Sequence, residues 1–145
     1  MTQINQKSEK VVLVVVSDIF FYTKIRDALL PLGYVLERAR TQEDVGAKVT
    51  ALGPAAVILN MNDDKLDAFV ALEQLKAAQR LSVLPVLAFA NHEEVDTWRR
   101  AMELGVTKIV SRNEFSSRTR DLVQELISNQ QSTIADRLAA RGEGL

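Results

Sequence analysis

The stretch Ala55-Ala56-Val57-Ile58-Leu59-Asn60-Met61-Asn62-Asp63-Asp64-Lys65 changes character in one step. Its apolar opening has no polar residue in it, which reads as a strand buried on both faces; a strand with one wet face would alternate. From Asn60 onward the chain reads as the polar loop at the carboxyl end of that strand. Just upstream, Gly53-Pro54 closes the preceding element, because proline fixes its own backbone angle and restricts the residue before it. Just downstream, Asp67 to Ala78 places Phe69, Leu72 and Leu75 at helical spacing.

The same reading extends in both directions. Val11 to Val16 is continuously apolar and makes a first buried strand. Ile19 to Leu32 carries Ile25, Leu29 and Leu32 on one helical side and ends at Gly33. Tyr34 to Leu36 is a short second strand. Thr41, with Asp44 three residues on, caps a helix whose inward side is Val45, Val49 and Leu52. Beyond the central stretch, Pro85 to Phe89 forms a fourth strand, Glu93 to Leu104 a helix that stops at Gly105, and Thr107 to Val110 a fifth strand. Five alternations with short connections are met most economically by a parallel sheet with helices on both faces and right-handed crossovers.

The last helix is long. Ser116 to Ala140 contains no Gly or Pro, and at 1.5 Å per residue it would extend ~37 Å. Leu122, Val123, Leu126 and Ile127 supply its docking on the sheet. Ile134 and Leu138 lie past the polar Asn129-Gln130-Gln131-Ser132, and two readings stay open for them: a frayed tail, or a projecting segment that meets a partner. The chain divides into a polar tail at 1–9, a domain at 10–128 and an extension at 129–145.

At 145 residues, 47% apolar and 26% charged, the composition is that of one globular domain. Its 18 Lys+Arg against 19 Asp+Glu give a net charge of -1, a poor footprint for gripping nucleic acid. The absence of cysteine excludes disulfides and thiolate metal sites, and a single histidine, His92, excludes a multi-histidine metal centre. His92 itself reads as a polar turn residue. No apolar run approaches the ~20 residues of a membrane span, and the first residues lack a secretory signal pattern, so a cytoplasmic protein is expected.

The strand ends carry a resemblance. Asn60 ends the third strand, and Asp67-Ala68 follows seven and eight residues later. Ala90, thirty residues past Asn60, ends the fourth strand; Arg112, 22 further on, follows the fifth, with Gly105 seven before it. Over residues 10 to 128 this spacing resembles the receiver domain of bacterial two-component response regulators. The resemblance implies an α/β, doubly wound, five-stranded parallel sheet of order 2-1-3-4-5, a flavodoxin-like three-layer sandwich. It also implies that Asn60 stands where the phosphoacceptor aspartate belongs, Ala90 where a Thr or Ser belongs, and Arg112 where a lysine belongs. Ser17 and Asp18 are the candidates for the cation-holding acids, their register open to one residue. By resemblance this is a degenerate, pseudo-receiver site.

The residue chemistry agrees without the family. Phosphoryl transfer to a carboxylate needs that carboxylate, a cation beside it and donors for the developing charge. Asn60 is a poor nucleophile, Ala90 has no hydroxyl, and a guanidinium does not substitute for an ammonium in a tight site. Arg112 requires an acceptor or water, and a hydrogen bond to Asn60 or Asp18 is expected to fix the crevice. Asn62, Asp63, Asp64 and Asp67 read as helix-capping and solvated residues, lacking the glycine and terminal Glu of a calcium loop. Ser111 reads as a strand-end hydroxyl.

Trp98 is the most informative surface candidate, since exposed tryptophan is enriched in binding hot spots; a structural role, in a stripe with Val95, Ala101 and Met102, competes. The sequence thus points to a non-enzymatic, phosphorylation-independent signalling module acting in signal transduction or transcription regulation. It would bind another signalling protein, or a second copy of itself, through its fourth helix, fifth strand and fifth helix. The expected anchors are Trp98, Met102 and Ile109, flanked by Arg99 and Arg112, with Ile134 and Leu138 as a second surface. No cofactor, metal, nucleic acid or membrane partner is expected. The competing readings are a receiver switched by a small ligand and a small enzyme with a different site on the same architecture.

Overall fold

The computed structural model describes residues 10–78 and 83–143, the side chains of 130–143 excepted. Five strands, β1 (Val11–Val15), β2 (Val35–Ala39), β3 (Ala56–Asn60), β4 (Val86–Ala90) and β5 (Lys108–Ser111), form one parallel sheet in the order β2-β1-β3-β4-β5. Between and after them run α1 (Ile19–Leu29), α2 (Gln42–Leu52), α3 (Ala68–Ala78), α4 (Val95–Glu103) and α5 (Arg112–Glu143). The sheet is parallel with helices on both faces, as the alternation implied, and its doubly wound, three-layer order is the one the resemblance implied.

Strand parity sorts the interior into two layers. Leu13, Val15, Val57, Leu59, Val86, Ala88 and Ala90 pack with Val45 and Val49 of α2, Ala71, Leu72 and Leu75 of α3 and Ala101 of α4. Val12, Val14, Ile58, Leu87 and Phe89 pack on the other face with Phe21, Ile25 and Leu29 of α1 and Phe115, Leu122, Val123, Leu126 and Ile127 of α5. Successive side chains of a strand point to opposite faces, so a strand feeding both layers has no room for a polar residue.

Element boundaries shift for local reasons. The first helix ends at Leu29 and tightens into a 3₁₀ turn, Leu30–Leu32, with Pro31 inside it and Gly33 at φ +88° closing it. Thr41 caps α2 as expected, its side chain accepting from Asp44 N. Strand β2 reaches Ala39, farther than the apolar Tyr34–Leu36 run suggested, because an edge strand tolerates the half-exposed Glu37 and Arg38. Helix α5 begins at Arg112 rather than Ser116, bends at Arg118 (φ -127°, ψ 28°), and stays helical through Asn129–Ser132 to Glu143. Among the described residues no helix is long and apolar enough to cross a membrane.

Phe21, Phe89 and Phe115 join α1, β4 and α5: Phe89 and Phe115 stack at 4.5 Å between centroids, and Phe21 leans on both at 5.1 and 5.9 Å. Phe115 is fully buried. Phe115→Ala should therefore cost ~3–5 kcal/mol of folding free energy, read by urea unfolding; a loss below 1 kcal/mol, roughly that of a surface change, would show that the cluster is dispensable.

Candidate functional site

A parallel sheet sends all its loops of one kind to the carboxyl ends of the strands, and the degenerate positions meet there. Asn60 is the last residue of β3 and is buried; its Oδ1 accepts from Asn62 N at 2.9 Å. Ala90, also buried, closes the neighbouring β4 with a methyl group. Asn60 pairs with Phe89 across the β3/β4 ladder, and Ala90 with Ser111 across β4/β5. Ser111 Oγ accepts from Glu114 N at 3.0 Å, tying the fifth strand to the first turn of α5.

In the loop after β1, Ser17 and Asp18 turn to different partners. Asp18 is exposed and is the N-cap of α1, its Oδ1 accepting from Phe20 N at 2.8 Å and Phe21 N at 3.2 Å. A carboxylate there satisfies orphan amides and meets the positive helix end. Ser17 turns the other way: its N and Oγ donate to the two oxygens of Asp63 at 2.8 and 2.7 Å. Asp63 Oδ1 also accepts from Lys65 N and Leu66 N. Partial burial alone would raise the Asp63 carboxyl pKa, but these donors outweigh it and hold it below the ordinary 3.8.

The expected hydrogen bond from Arg112 to Asn60 or Asp18 is not formed. The Arg112 guanidinium lies over the Phe21 ring, 4.6 Å from its centroid. A delocalised, weakly hydrated cation is satisfied by an aromatic face and solvent, while Asp18 is taken up by its own helix.

Another arginine binds the β1–α1 loop. Arg38, at the end of β2, donates from Nε to Val16 O at 3.1 Å and from Nη2 to Ser17 O. Its guanidinium also stands 5.4 Å from the Tyr22 ring centroid. Asp63 and Arg38 were both missed as site residues in the sequence. The turn formed by Asp63 is legible in Asp-x-Lys-Leu, but its bond to Ser17 spans 46 residues, and no local pattern signals that. Asp67, by contrast, caps α3 through Phe69 N and Val70 N, as its position before a helix suggested.

The remaining named residues fall on α4 and β5. Trp98 is half-buried against the α2/α3/α4 core layer, with Nε1 donating to Asn91 O at 3.0 Å, so it is less exposed than the sequence suggested. Ile109 is likewise half-buried against that layer. Met102 is 52% and Val95 70% exposed; Arg99 is exposed, in ion pairs with Asp96 and Glu103. The side chains of Ile134 and Leu138 lie outside the described residues. His92 is exposed beside Glu93. Among the described residues no three His, Cys, Asp or Glu side chains group as a metal site. The crevice offers fixed hydrogen-bond donors and acceptors, but neither a free nucleophilic carboxylate on β3 nor a hydroxyl on β4.

A carboxyl whose folded pKa is depressed adds stability that is complete above its unfolded value and is lost as pH falls through the folded one. Asp63→Asn should cost about 1 kcal/mol at pH 7, less than is usual for a charged acceptor because the group is partly solvated. The gap to wild type should narrow as pH drops below 3.8. Urea unfolding at pH 7 and pH 3 checks this, and a gap that widens in acid would contradict it.

No protein-family model and no curated protein matches the sequence. Solved structures do match it. NtrX from Brucella abortus superposes with a TM-score of 0.76 at 17% identity over 88% of this chain, which spans only 28% of that protein. The separate receiver domain of NtrX from Brucella abortus gives a TM-score of 0.69 at 18% identity, covering 81% of this chain and 98% of that one. The signal receiver domain of a response regulator from Bermanella marisrubri gives 0.72 at 20% identity, covering 82% and 98%. Together with the strand order, these superpositions establish that the chain has the fold of receiver domains.

Proposed function

We propose that this domain is a phosphorylation-independent regulatory module that works by binding protein, and that it catalyses no reaction. The observation that carries the reading is the pair at the ends of β3 and β4: a buried amide, Asn60, engaged with its own loop, beside the methyl of Ala90. The amide of Asn60 is not a nucleophile toward phosphorus, and the methyl of Ala90 has no hydroxyl to donate to a phosphoryl oxygen. The loops around them are stapled by side chains instead, Ser17 to Asp63 and Arg38 to Val16 and Ser17, so these loops are fixed without a covalent event. The receiver fold, found in response regulators, supports a signalling setting.

The binding face proposed is α4, β5 and the start of α5. Val95, Arg99 and Met102 recur at helical spacing on the solvent side of α4, and Trp98 and Ile109 are half-buried against the same core layer as Ala101 of α4. Arg112 flanks the face. Ile134 and Leu138 are proposed as a second contact. The partner is another signalling protein or a second copy of the chain, in the cytoplasm.

Incubation with acetyl phosphate and Mg²⁺ should leave the intact mass unchanged, and Asn60→Asp alone should not alter that, because Ala90, Arg112 and an incomplete pair of cation-holding acids remain. A mass gain of one phosphoryl group on the wild type would overturn the reading. Met102→Glu, at an exposed position, should leave thermal unfolding within a few degrees while abolishing assembly, read by sedimentation of the purified chain and of the chain in cell extract. Assembly that survives Met102→Glu would remove this face.

A further inference from the structure

Glu94 occupies the N-cap position of α4, where short acceptors are favoured because they reach the first free amides of the helix. Glu94 makes no such bond. Its carboxylate turns sideways and gathers three other donors. Oε2 accepts from Asn62 Nδ2 at 2.8 Å and from Asn91 Nδ2 at 3.1 Å, and Oε1 accepts from Thr97 Oγ1 at 3.2 Å. Asn62 Oδ1 accepts from Asn91 N at 2.8 Å. Asn91 O accepts from Trp98 Nε1 at 3.0 Å and from Glu94 N at 3.1 Å, which engages both lone pairs of that carbonyl.

We propose that Glu94 is the positioning residue for Trp98: by clamping Asn62 of the β3–α3 loop to Asn91 of the β4–α4 loop, it fixes the carbonyl on which the indole is held. Asn60 Oδ1 accepts from Asn62 N, so a run of hydrogen bonds passes from the buried end of β3 through Asn62 and Asn91 to the indole on α4. Glu94 is the one carboxylate in that run, and it accepts from both loops and from α4. A residue selected only to start a helix would have used its side chain on the helix amides; Glu94 leaves those uncapped and serves the loops. The positioning stands on these contacts alone, and its bearing on recognition rests on the binding face proposed above.

Trp98 is the only tryptophan, so its fluorescence reports the indole directly. Glu94→Ser separates positioning from folding, because serine is a good N-cap but cannot reach Asn62 and Asn91 together. Its melting temperature should be equal to or above that of the wild type, while Trp98 emission shifts to the red and acrylamide quenching increases. Asn62→Ala, which removes the acceptor for Asn91 N, should produce the same optical change. Wild-type emission and quenching in folded Glu94→Ser would overturn the proposal. If the indole is freed in Glu94→Ser yet assembly persists at wild-type strength, the positioning role stands and the α4 recognition face falls.

Discussion

Burial of a parallel sheet on both faces is the constraint from which the rest follows. Val12, Val14 and Val16 face one helical layer and Leu13 and Val15 the other, each of them at zero exposure. A polar side chain within such a strand would lose its water with nothing to replace it. Polar chemistry is therefore expelled to the strand ends, and since all strands run the same way, the ends that precede the helices gather along one edge. Ser17, Asn60, Asn91 and Ser111 come together through topology, although the sequence scatters them.

The central elements were legible because the constraint writes itself into composition. β1, β3 and β4 are runs that no amphipathic helix or half-wet strand would produce, and Asn60 and Ala90 stand at the strand ends where those runs stop. β2 was shortened in the reading because Glu37 and Arg38 look like loop residues; an edge strand accepts them, since one of its sides has no neighbour. The start of α5 was missed because Arg112-Asn113-Glu114 carries no apolar period, and the helix is anchored there by Ser111 Oγ instead.

Partner choice within the site was hardly legible at all. Arg112 and Asp18 have opposite charges and neighbouring stations, yet Asp18 caps α1 and Arg112 lies on Phe21. Local backbone amides outcompete a distant cation for a carboxylate when they are already in place. Asp63 looked like one member of an acidic loop and proves to be the acceptor that joins the β3–α3 loop to the β1–α1 loop. Such pairings depend on side-chain direction across 20 to 50 residues, and a linear pattern does not hold that information.

One contact at the border of the sheet has a wider consequence. Lys48 Nζ, from α2, donates to Arg38 O at 2.6 Å, and the same ammonium lies 3.8 Å from Glu37. The end of β2 thus offers an incoming strand a carbonyl already engaged and a charged side chain in its path. Addition of a strand is hindered at this border, which leaves the opposite border, where β5 lies beside α4, as the side of the sheet open to association.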